Sequence, residues 1–168
     1  QGFEEADVVL ERTYTVPFAE HAYLEPETAI GVPEPDGRVT VYGSFKSPFD
    51  VRRMVSKTLS TGLDRVRIVP VTLGGYFGGK DEDMALMASR VALLAKKTGR
   101  PVRMSNTREE SVLESTKRRR YVLKYKVGAK RDGHLTAMEV EVLADAGAYS
   151  VKTPLVTFRS CIEATGPY

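Results

Sequence analysis

The sequence predicts a mixed α+β domain, with hairpins and strand–helix units around a mixed sheet. Three observations carry that prediction. Asp36-Gly37 and Asp132-Gly133 each sit between stretches rich in β-branched residues, the local signature of a hairpin. The run from Asp81 to Thr98 opens with acidic residues and closes with lysines, as a helix dipole favours, and Gly99 supplies its stop. Paired strands and strand–helix units both occur, so strict β-α alternation is excluded.

Val8 to Val16 (VVLERTYTV) is β-branched and reads as a strand. HAYLEP, from His21 to Pro26, is a polar stretch between strands. Thr28 to Val32 and Arg38 to Tyr42 flank PEPDG and form the first hairpin. Ser47-Pro48 starts a helix over Phe49 to Leu59, where Val51, Met54, Val55 and Leu59 keep helical spacing. Arg65 to Leu73 alternates as a strand until Pro70 breaks the period, which predicts an edge strand or a bulge. The Asp81–Thr98 helix follows the glycine-rich GGYFGGK, and Val102 to Ser105 is a short strand. Thr107 caps a helix through Ser115, with Glu110 three residues on completing a capping box. Tyr121 to Ala129 and Leu135 to Ala144 pair across KRDGH; ADAGAYS breaks the regularity, and the tail from Val151 carries no clear period.

At 168 residues the chain fits a single domain, 1–168. Its lack of an initiator methionine and its end at ATGPY, a turn signal, read as a fragment of a longer protein. The lone Cys161 excludes an internal disulfide and any multi-cysteine metal site, which fits a reducing, cytoplasmic setting. No apolar run approaches the ~18 residues of a membrane-spanning helix, and the start has neither the basic nor the apolar region of a signal peptide. A net charge of +3 is too small to argue for nucleic acid.

The glycine loop Gly74–Asp81 is the first candidate site. Gly74, four residues, Gly79 and Lys80 match a phosphate-binding loop, but Asp81 stands where a Ser or Thr would hold magnesium. Glu82 and Asp83 follow, so carboxylates would face phosphate. Two glycine pairs around an aromatic residue also permit a close backbone approach by some other ligand, with amides near the positive end of a helix. A nucleotide-binding domain using GGYFGGK is therefore the alternative reading. Asp145, after the apolar VEVL, imitates the magnesium aspartate of such a domain. KRRRYVLKYK, from Lys117 to Lys126, is a basic run whose charges alternate with apolar residues, as one solvated face of a sheet requires. His21 and His134 lie far apart and announce no metal site.

Several stretches together resemble one family. GGYFGGKD is similar to the GGGFGGKE loop of the molybdenum hydroxylases, the xanthine dehydrogenase and aldehyde oxidase family. HAYLEPETAI resembles its histidine- or glutamine-led EPE segment, KSPFDVRR its QxPF segment, and TREESVLESTKRR its REE-plus-basic stretch; DAGAYS and ATGPY resemble two later landmarks. Their order and spacing agree over nearly the whole chain.

The resemblance implies the first part of the molybdopterin-binding large subunit, with molybdenum held by a pterin dithiolene. It implies hydroxylation of a purine, another N-heterocycle or an aldehyde, with water as the oxygen source. On the same basis, Phe77 forms an aromatic wall beside the substrate. The amides of Phe77 and Gly78 approach the molybdenum ligands, and Gly75 and Gly79 belong to the same cofactor loop. Asp81 stands where the family often carries a substrate-facing glutamate, and Arg159 at the spacing of a substrate-orienting arginine. Lys46 replaces a cofactor-binding glutamine, and Tyr76 replaces a loop glycine. The family's general base is expected beyond Tyr168, so these residues alone are expected to be inactive. The expected partners are the rest of the large subunit and subunits or domains carrying iron–sulfur clusters, with or without FAD. Neither nucleic acid nor a membrane is expected as a partner.

Overall fold

A computed structural model of the chain describes residues 1–150 and 152–166, with the side chain of Glu82 outside the description. The chain divides into two compact units. One is continuous, Glu20–Lys117, and the other joins Gln1–Ala19 to the stretch from Arg118 onward.

In the continuous unit, β2 (Thr28–Pro33) and β3 (Val39–Gly43) form the expected hairpin. Its turn closes where Gly37 donates its N–H to Glu34 O at 3.0 Å, with a φ of 82° that glycine tolerates. Chain order then runs through α1 (Pro48–Thr58), a short 3₁₀ turn (Leu63–Arg65) and β4 (Val66–Pro70). After the glycine loop come α2 (Glu82–Thr98), β5 (Val102–Ser105) and α3 (Arg108–Glu114). The strands form one sheet in the order β4-β3-β2-β5. β3 and β4 are parallel and joined through α1, whereas the other pairs are antiparallel. β4 lies at the edge, and it ends at Pro70 rather than at Leu73 because proline has no N–H to extend the ladder.

The core lies between this sheet and the two longer helices. Val51 and Val55 of α1 meet Met84, Met87, Ala88 and Val91 of α2 over Ala29, Val39, Val41 and Val66 of the sheet. On α2 these positions recur every three or four residues, the spacing that keeps one helical stripe inside. Gly31 lets α2 come close: a Cβ built there would lie 2.5 Å from Val91 O. α2 ends as expected, with Gly99 at φ 65° donating to Ala95 O at 2.9 Å. α3 has the expected capping box between Thr107 and Glu110.

In the second unit, β1 (Val8–Val16), β6 (Arg120–Ala129) and β7 (Leu135–Asp145) form an antiparallel sheet in the order β1-β6-β7. The β6–β7 turn places Gly133 at φ 93°, and the register shifts between Gly128 and Ala129. The aperiodic tail contains a helix, α4 (Thr153–Glu163), with a proline in its first turn, where the missing N–H costs no helical bond. Tyr125 donates its hydroxyl to Ala164 O at 3.2 Å and ties the end of that helix to β6. The last two residues of ATGPY lie outside the described residues.

Candidate functional site

The glycine loop joins the end of β4 to α2, and a half-buried carboxylate holds both of its ends. Glu25 Oε2 accepts the N–H of Gly74 at 2.7 Å and a bond from Lys80 Nζ, also at 2.7 Å. Its Oε1 accepts from Ser44 Oγ at 2.8 Å, and its own amide donates to Gly74 O at 3.4 Å. Lys80 is fully buried, with its ammonium 4.6 Å from the centre of the Tyr23 ring. Burial alone would raise the pKa of Glu25; the bonds from Lys80, Gly74 and Ser44 outweigh it and hold the group below the ordinary carboxylate range.

Inside the loop, Gly79 donates to Tyr76 O at 2.6 Å and closes a tight turn around Phe77 and Gly78. Gly75 and Gly78 have φ of 93° and 99°. Phe77 and Lys80 also take positive φ, 44° and 53°, although they carry side chains. The Tyr76 substitution is accommodated without positive φ at that residue. Phe77 is 74% exposed at the tip. Among the described residues no protein acceptor takes the amide of Phe77 or of Gly78. Beneath the tip, His21 stacks on Tyr23 with an interplanar angle of 17°, and a Cβ on Gly78 would lie 3.3 Å from His21 Nε2.

A second layer of polar groups supports α2. Tyr23 donates its hydroxyl to Glu27 Oε1, and Asn106 Nδ2 bridges Glu27 Oε2 and Glu114 Oε2 at 3.3 Å each. Asp83 is buried near Glu27; burial first, and the Glu27 charge second, raise its pKa above the ordinary value. Its Oδ2 still accepts the Lys80 N–H at 3.3 Å.

The residues expected from the sequence are not all alike in their placement. Gly75, Phe77, Gly78 and Gly79 come together in the loop. Asp81 is buried, accepting from Ser47 Oγ at 2.8 Å, with Lys46 Nζ 3.7 Å from its other oxygen. Ser47 therefore starts α1 without capping it through its side chain. Arg159 is exposed on α4, in the other unit. The nucleotide reading is not favoured. Its lysine points inward to a carboxylate, and the Gly74, Gly79 and Lys80 amides already serve protein acceptors. Asp145 accepts the Gly147 N–H at 3.2 Å, as a turn residue does. The basic run is paired: Lys117 with Glu20 at 2.7 Å, Lys124 with Glu141 at 3.0 Å and Lys126 with Glu11 at 2.9 Å.

Comparison with known proteins decides the family. The sequence model of the molybdopterin cofactor-binding domain matches residues 1–168. The chain belongs to the molybdopterin cofactor-binding domain family. It is 39% identical over 168 residues to a probable xanthine dehydrogenase subunit of Bacillus subtilis, covering 100% of this chain and 22% of that protein. It is 37% identical to the nicotinate dehydrogenase large molybdopterin subunit of Eubacterium barkeri, over 99% of this chain and 39% of that one. The aldehyde oxidoreductase of Desulfovibrio gigas has the same fold at a TM-score of 0.83 and 28% identity, over 95% of this chain and 17% of its own. The chain thus spans well under half the length of the relatives it matches.

Glu25, Glu27 and Tyr23 were not among the site residues the sequence indicated. A usable signal was present in YLEPE, which sets a phenol and two carboxylates within five residues of irregular chain.

Proposed function

We propose that this chain forms one wall of the molybdenum site of a hydroxylase acting on a purine, another N-heterocycle or an aldehyde, with water as the oxygen source. The observation that carries the reading is the loop tip. Phe77 is held outward on a backbone fixed from below, beside a glycine with φ of 99° and no side chain.

That tip fits an anionic, rigid cofactor. The amides of Phe77 and Gly78 have no acceptor among the described residues, and Gly78 leaves the space that a Cβ would fill. The amides of Phe77 and Gly78 would hold the group, Gly75 and Gly79 would allow its close approach, and Lys46 would meet it through its ammonium. When bound, molybdenum–molybdopterin supplies the centre that accepts two electrons from the substrate carbon. Fixed amides oriented towards developing negative charge need no reorganisation during reaction. The exposed Phe77 ring offers a planar substrate a stacking face. Asp81 sets the position of Lys46, and Arg159 would orient a carbonyl or enolate oxygen of a purine through its planar guanidinium. The general base comes from the remainder of the large subunit, and iron–sulfur modules, with or without a flavin module, carry the electrons onward. Residues 1–168 alone are inactive in this reading, and the whole protein is cytoplasmic.

The test is kinetic, in the full-length enzyme. Phe77→Ala should reduce kcat/KM by roughly one to two powers of ten with molybdenum content unchanged, the ~1–3 kcal/mol of an aromatic stack. Gly78→Ala should depress kcat or molybdenum occupancy severely. Arg159→Ala should harm a purine substrate far more than a simple aldehyde. Wild-type kinetics and metal content in all three would make the loop only a turn.

A further inference from the structure

We propose that Glu25 is the positioning residue of the glycine loop, clamping its first and last residues together through the Gly74 amide and the Lys80 ammonium. A single oxygen, Oε2, receives both bonds at 2.7 Å, although the two donors are six residues apart in sequence. The other oxygen is fixed by Ser44, the residue after β3, so loop start, loop end and sheet meet at one carboxylate.

Two further observations point the same way. Gly74 has no positive φ, so turn geometry does not explain it; a Cβ there would lie 2.5 Å from Glu25 Cβ. The glycine makes room for the clamp. Gly79 likewise makes room for its lining, since a Cβ would lie 2.9 Å from Tyr23 Cε1. Lys80 is fully buried at φ 53°, and Phe77 sits at φ 44°. Such backbone angles persist in residues with side chains only where the surroundings over-determine them. A buried ammonium is in turn tolerable only with a well-placed carboxylate. The charge pair thus holds Lys80 inward, and with it the strained turn that projects Phe77. Any bearing on catalysis rests on the function proposed above; the clamp itself does not.

The experiment is amide hydrogen exchange on the full-length enzyme containing this chain, comparing wild type, Glu25→Gln, Lys80→Met and the double variant. Glu25→Gln keeps an oxygen for the Gly74 amide but leaves the Lys80 ammonium without its counter-charge, whereas Lys80→Met removes that ammonium. Exchange at the loop amides that have protein acceptors, those of Gly74, Gly79 and Lys80, should rise about tenfold or more in each single variant, as expected from losing a hydrogen bond between charged groups. In the double variant the rise should be smaller than the product of the two, because both changes break the same pair. Residues 120–145 should exchange as in wild type. In the same variants kcat should fall with KM nearly unchanged. Unchanged loop exchange in both single variants, or effects that simply multiply, would overturn the clamp. Faster loop exchange with kcat and molybdenum content intact would uphold the clamp and sink the reading of the loop as a wall of the molybdenum site.

Discussion

Gly31→Ala tests how α2 is seated, and with it the base of the loop. A Cβ at position 31 would lie 2.5 Å from Val91 O, 2.7 Å from Val91 C and 3.1 Å from Ala92 N. These are helix backbone atoms, so no side chain can swing aside. Reaching an ordinary contact of 3.4 Å from 2.5 Å requires α2 to retreat by about 0.9 Å. Val91 and Ala92 are fully buried, so that retreat loosens the packing on both sides of the contact. Overpacking of this kind costs about 1–3 kcal/mol. The lower backbone entropy of alanine returns about 0.5–1 kcal/mol. We expect a net loss of about 1 kcal/mol, which for a unit of about 100 residues is roughly 4–8 °C in Tm. Calorimetry of the chain would measure it, with Gly37→Ala as the control: nothing lies within 4 Å of that position, and only its φ of 82° is penalised, at about 1–2 kcal/mol. A Tm fall at Gly31 no larger than a degree or two would refute the close seating of α2 on β2.

The carboxyls of Asp83 and Glu25 make opposite predictions. Asp83 has a folded pKa raised above its unfolded value of about 3.9, so its contribution to stability falls as pH rises through that window. Asp83→Asn should therefore raise Tm at neutral pH, with the gain shrinking in acid; a lower Tm at neutral pH would contradict the buried-charge account. Glu25 has a lowered folded pKa, so its contribution is present above the ordinary carboxylate pKa and is lost as pH falls through the folded value. Acid unfolding curves of Glu25→Gln should lack that part of the pH dependence seen in wild type. Thr107→Ala removes the acceptor for the Glu110 N–H at 3.2 Å and should cost about 1 kcal/mol by urea unfolding. No loss would mean that Glu110 alone, through its bond to the Thr107 N–H, sustains the cap.

What could be seen in the sequence was mostly local. Asp36-Gly37, Asp132-Gly133, Gly99 and the Thr107–Glu110 box act over four or five residues, and each holds in the structure. The parallel β3–β4 pair and the two-part sheet order are long-range outcomes that no short motif encodes. α4 was hidden because its stretch, TPLVTFRSCIE, carries four β-branched residues, which lower helix propensity, and no capping side chain. At the site, the glycines and Phe77 were legible because close approach requires small residues and an exposed ring stands out among them. Lys80 was not. A lysine after glycines reads as solvent-facing, and only the spatial return of Glu25, 55 residues earlier, turns it inward.

The division of the chain has a consequence for its synthesis. β1 pairs with β6 from Val8↔Ala129 to Val16↔Tyr121, so the strand made first finds its partner only after the whole Glu20–Lys117 unit has been made. At about 5–20 residues per second on a ribosome, β1 waits of the order of 5–20 s with an open edge. The intervening unit contains all of its own strand partners and can close during that wait. Once it has closed, Ala19 and Arg118, which exchange backbone hydrogen bonds at 3.3 and 2.9 Å, flank a finished body rather than a loose coil. The entropy of bringing β1 to β6 is then largely spent before β6 emerges. A released chain ending before Tyr121 should thus be protease-resistant over residues 20–117 while Val8–Val16 remains cleavable.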